Sequence, residues 1–131
     1  MPSRGSRIAA FTAAWERPDQ FSKVVSWVGS FTNQAAGENG RDGGHNYPSL
    51  IRRTTPPKNI RVLIQDGAMD SDNNQGNWNQ SNYAMVAALR YQGYDVRYEF
   101  GQGPHSDKHG IAIFPETLRW LWRDWRDYPK N

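Results

Sequence analysis

Three short β-prone runs separated by helix-like segments restrict this chain more than any other feature. "KVVSWVGS" (residues 23–30), "IRVLIQ" (60–65) and "YDVRYEF" (94–100) are rich in the β-branched and aromatic residues of strands. The first two are apolar with little alternation, which predicts strands covered on both faces. In the third, Tyr94, Val96, Tyr98 and Phe100 alternate with Asp95, Arg97 and Glu99, so one face is buried, as on an edge strand.

The segments between have helical signatures. Residues 8–17, "IAAFTAAWER", are Ala-rich and stop before Pro18, whose ring disfavours helix in the residue before it. A short helix is expected around Ser49 to Arg53. Another spans about Gln80 to Gln92, with Met85, Ala88 and Leu89 at helical spacing and Gly93 as its stop. A last helix starts near Pro115 and places Leu118, Leu121, Trp122 and Trp125 on one face, which reads as core, with Trp120 off it. Residues 31–44 and 66–78 read as loops. Strand and helix in alternation predict an α/β domain: three layers, α/β/α, around a short, mainly parallel sheet of about three strands joined by right-handed crossovers.

At 131 residues the chain is the size of one domain, here residues 1–131. It contains no cysteine, which excludes disulfides, thiolate metal sites and thiol nucleophiles but leaves the compartment unknown. Neither a membrane span nor the apolar core of a signal peptide is visible, so a soluble protein with no membrane partner is expected. The net charge of +3 comes from Lys and Arg interleaved with Asp and Glu, as in "WRDWRDYPK", which argues against a nucleic-acid partner.

In parallel sheets ligands sit beyond the carboxyl ends of the strands. There the second loop holds Asp66, Asp70 and Asp72, and the third holds His105 and His109. An acid after one strand and a histidine after the next match the Asp and His of a Ser-Asp-His triad. The serine is sought at "MPSRG", where Ser3-x-Gly precedes a helix of small residues, half of a nucleophile elbow; Ser6 competes for the role. The spacing of His105 and His109 would suit zinc on a helix, but no third ligand is evident. "DSDNNQG" imitates a calcium loop with its glycine and twelfth residue misplaced. No metal and no cofactor are expected.

Several stretches together resemble the C-terminal half of an α/β-hydrolase esterase of the enterochelin-esterase and feruloyl-esterase-like group. They are "IAAFTAAWERPDQFSKVVSWVGSFTN", "GHNYPSLIRRTTPPKNIRVLIQDGAMDSDNNQGNW", "AALRYQGYDVRYEFGQGPHSDKHG" and "LRWLWRDW". The resemblance implies a partial α/β-hydrolase fold and a serine carboxylic-ester hydrolase. Its G-x-x-D turn falls on Gly67 to Asp70 and its G-x-H turn on Gly103 to His105, with Asp72 the substitute acid. Ser3 would be the nucleophile. The strand that feeds the elbow and the loop that donates an oxyanion-hole amide have no counterpart here, so the chain reads as a hydrolase fragment, natural or engineered, truncated before the nucleophile strand, with weak or absent activity on a small ester. Two alternatives are a non-catalytic fragment that forms a homodimer or higher oligomer through its sheet edge near Val24 to Val28, and a binding module that retains the rim pocket.

Overall fold

The computed structural model describes residues 8–33 and 43–127; Ser3 and Ser6 lie outside them. Along the chain run α1 (Ala9–Glu16), β1 (Lys23–Trp27), α2 (Tyr47–Arg53), β2 (Arg61–Met69), β3 (Asp72–Asn73), β4 (Gly76–Asn77), α3 (Trp78–Tyr91), β5 (Asp95–Pro104), α4 (Lys108–Ala112) and α5 (Phe114–Leu121). The main sheet has the order β1-β2-β5, all parallel. This is the expected small α/β fold.

The register explains the layers. Val24, Val62 and Val96 are aligned across the sheet, and so are Ser26, Ile64 and Tyr98. All but Ser26 join one apolar cluster with Phe11, Trp15, Ile51, Met85 and Leu89 from the helices that cover this face and Phe31 from the segment after β1. Its aromatic part is tightly arranged, with the rings of Phe11 and Tyr47 edge to face at 5.0 Å. Such a pair contributes about 0.5–1.5 kcal/mol beyond its buried area. The opposite face presents Arg61, Leu63 and Gln65 to the C-terminal helices. Arg61 donates to Leu121 O, Asp95 and Asp124, and Gln65 meets His109.

Local chemistry sets the element ends. Asn77 caps α3 by accepting from Gln80 N at 2.9 Å. Gly93, at φ +81°, ends the same helix in a left-handed conformation that suits glycine.

Four details depart from the sequence-based expectation. The third strand, expected to end at Phe100, runs on to Pro104 in β5. The segment read as a loop over 66–78 instead continues β2 to Met69 and then folds into the β3–β4 hairpin. An extra helix, α4, precedes the last one. Of the supposed core face at the C-terminus only Leu121 is buried; Leu118, Trp122 and Trp125 are exposed. Helical spacing gives a face but not its width. Here α5 ends at Leu121, so Trp122 and Trp125 lie beyond the helix that was to carry them inward.

Candidate functional site

The site forms where β2 and β5 leave the sheet. Their register runs without a break to Gly67↔Gly101, then shifts to Met69↔Pro104. A shift of this kind bends a strand and re-aims the side chains that follow. It needs close backbone approach, because a Cβ on Gly67 would lie 2.1 Å from Gly103 O. Asp70 follows immediately in a tight turn, with Asp70 N bonded to Gly67 O at 3.0 Å. His105 follows Pro104 on the neighbouring strand.

The two side chains meet. His105 Nδ1 lies 2.6 Å from Asp70 Oδ1, and the same oxygen accepts from Ser71 N at 2.6 Å. The Asp70 side chain is fully buried and that of His105 is 23% exposed. A carboxylate oxygen cannot donate, so the nitrogen facing it carries the hydrogen, and Nε2 of a neutral His105 is left as an acceptor. Trp78 packs edge to face against the imidazole at 5.9 Å and is fixed in turn by its indole N–H to Ser30 Oγ. The sequence reading of Asp70 and His105 as neighbours on one rim is therefore matched by direct contact between them. Asp72 is exposed on the hairpin.

Beside His105 a cleft of about 470 Å³ is lined by Trp27, Val28, Ser106 and Asp107. Val28 has φ +47°, a conformation rare for a β-branched residue. It lies just past β1, its N–H bonded to Gln65 O at 2.8 Å. His109 lies in α4. Its ring packs where Gly101 lacks a side chain, and its Nδ1 lies 3.2 Å from Gln65 Nε2.

Asp66, one residue before Gly67, is fully buried. Burial, then the hydrogen bond and negative charge of the neighbouring Asp70, push its carboxyl up to about 8; the Gly67 N–H opposes this. Burial pushes Tyr98 up to about 12, with the Asp66 charge next in size. Asp66 was legible as one of three rim acids, and the sole sign of its different environment was its position inside the apolar run "IRVLIQD". Among the described residues no group of three His, Asp or Glu side chains could hold a metal ion.

The arrangement can do one thing well: hold an imidazole in a single tautomer beside an open cleft, ready to accept a proton. No protein-family model matches the chain, and no curated protein matches it.

Proposed function

We propose that this chain is a partial α/β-hydrolase fold with serine carboxylic-ester hydrolase chemistry of low turnover, in which Asp70 and His105 form the acid–base half of the site and Ser3 is the nucleophile. The observation that carries the reading is the 2.6 Å contact between His105 Nδ1 and a fully buried Asp70 carboxylate at the mouth of a cleft. In the reaction, Ser3 Oγ attacks the ester carbonyl as its proton passes to His105 Nε2. The C–O bond to the alcohol breaks and that proton leaves with the alcohol. Water, deprotonated by the same nitrogen, then hydrolyses the acyl-enzyme and restores Ser3. Asp70 holds the ring and stabilises the imidazolium.

The test is hydrolysis of a p-nitrophenyl acyl ester by the protein beside Ser3→Ala, Ser6→Ala and His105→Ala. Loss to buffer rates in Ser3→Ala and His105→Ala supports the reading, and loss in Ser6→Ala in place of Ser3→Ala moves the nucleophile. Equal rates in all four sink the esterase reading. A thermal shift by a non-hydrolysable ester analogue would then favour the binding module.

A second reading has its own observation: among the described residues β1 pairs on one side only. Ser22 O and Val28 N bond toward β2, so by alternation the backbone groups of Val25 point to the open edge, where a second copy could add a strand. On this reading Val25→Pro, which removes an outward N–H, converts a dimer to monomer in light scattering without unfolding it. A monomeric parent at micromolar concentration would end that reading.

A further inference from the structure

Two buried acids stand together at the rim, and their acceptors are not matched by donors. Asp70 Oδ1 receives Ser71 N and His105 Nδ1. Asp70 Oδ2 and both oxygens of Asp66 are buried without a well-formed hydrogen bond from a described residue, and the Gly67 N–H only partly offsets the burial of Asp66. Carboxylates sealed away from water without donors are costly, and two of them side by side repel. A single proton between them removes both difficulties, turning one acceptor into the donor that the other lacks.

We propose that Asp66 is a positioning residue: it carries that proton, donates an O–H···O hydrogen bond to Asp70 Oδ2, and so holds the Asp70 carboxylate with Oδ1 turned to His105. The inference rests on the Asp70 and His105 pairing of the preceding reading and adds a third member beneath it. The chain geometry favours the arrangement. Asp66 is anchored in β2, opposite Phe100 in the register, whereas Asp70 sits in the turn beyond the strand irregularity. A rigid strand residue thereby fixes a turn residue whose carboxylate otherwise has only the Ser71 amide and His105 itself to hold it. The titratable groups facing Asp66 are Asp70 and, through it, His105 from the turns, and Tyr98 from β5, whose own neighbours include Tyr83 and Arg90 of α3. None of them is a cation in contact with Asp66, which agrees with the direction of its shift to about 8.

The experiment is proton and nitrogen NMR of the His105 ring in the full chain, comparing the parent with Asp66→Asn and Asp66→Leu. The parent should show a low-field Nδ1–H proton at neutral pH and a second displacement of the ring signals as the pH passes about 8, where Asp66 ionises. Asp66→Asn retains a donor to Oδ2, so it should keep the low-field proton and lose the second step. Asp66→Leu fills the volume without a donor, and exchange of the Nδ1–H with water should accelerate about tenfold, the effect of losing one hydrogen bond of ordinary strength. A second step that persists in Asp66→Asn overturns the inference, as does an unchanged exchange rate in Asp66→Leu. If the Leu variant fails to fold, the comparison of the parent with Asp66→Asn decides alone. A parent without the low-field proton overturns both this inference and the pairing beneath it; a parent that has it, indifferent to Asp66, overturns this inference only.

Discussion

The two ends of β2 bury charge in opposite ways. At its start Arg61, with its side chain 11% exposed, gives its guanidinium to Asp95, to Asp124 and to Leu121 O, and so ties the strand to its neighbour and to the C-terminal segment. Near its end Asp66 is buried even more thoroughly, yet it faces another acid and no cation, with the Gly67 N–H only a partial offset. A buried charge whose hydrogen bonds are filled is structural; one left without donors makes the local structure depend on its protonation. The difference teaches where to look for function on this sheet: at the carboxyl ends, where polar groups are packed without being satisfied.

The sharpest way to break the comparison is pH. Because the folded protein holds the Asp66 proton to about 8 and the unfolded chain releases it near 3.8, the native state binds more protons over that interval. Stability on this account is full below the lower value, falls as pH rises through the interval and levels above it. At about 1.4 kcal/mol per pH unit the shift amounts to several kcal/mol. Rearrangement of the rim reduces this, and Asp66→Asn should be stabilised by about 3 kcal/mol at pH 8 relative to its effect at pH 4. Urea unfolding at the two values measures it, and a flat parent profile would remove the contrast.

At the other end the sign reverses. The hydrogen bond from Arg61 holds Asp124 below its ordinary range, so that contribution is present above the usual carboxylate value and is lost as pH falls through the lowered one. Arg61→Ala should cost about 2–3 kcal/mol near neutrality, less than a fully buried pair because both aspartates are partly exposed and rehydrate. It should also shrink the acid limb of the profile, to which Asp19 beside Arg17 contributes independently, and leave the alkaline one. A variant that instead altered the alkaline limb would show that the two ends are coupled.

Next in size is the backbone approach that brings the rim turns together. Gly67→Ala sets a Cβ against the Gly103 carbonyl, whereas a Cβ on Gly103 meets nothing within 4 Å. The first should cost about 1–3 kcal/mol through forced strand displacement and weaken the His105 Nδ1–H signal; the second should leave that signal in place. Equal effects would mean that the close approach does not position Asp70.

How far the sequence revealed all this varies with the physics involved. The strands at 23–27 and 61–65 were legible because a covered parallel strand needs a continuous apolar run, and α3 because its period, cap and stop agree. Asp70 and His105 were legible because strand ends in a parallel sheet converge on one rim. The continuation of β2 through "DGAM" was hidden, since Asp and Gly read as turn signals and only pairing with β5 overrides them. The pairing of acid with acid was equally hidden, because it depends on the strand irregularity after Gly67 and not on spacing.

The smallest expected effect concerns the C-terminal aromatics, where spacing misled. Trp125 is 60% exposed, in a short turn after α5, with Arg126 over its ring at 5.2 Å. An exposed cation over an aromatic ring is worth under about 1 kcal/mol, and part of it is recovered by solvation when the ring is removed. Trp125→Ala should therefore change stability by no more than about 0.5 kcal/mol in urea unfolding. Truncation of a buried Trp costs about 3–5 kcal/mol. A loss of that size would restore the aromatic face to the core and would require the C-terminal segment to pack against the Arg61 end of β2 far more closely than its exposure allows.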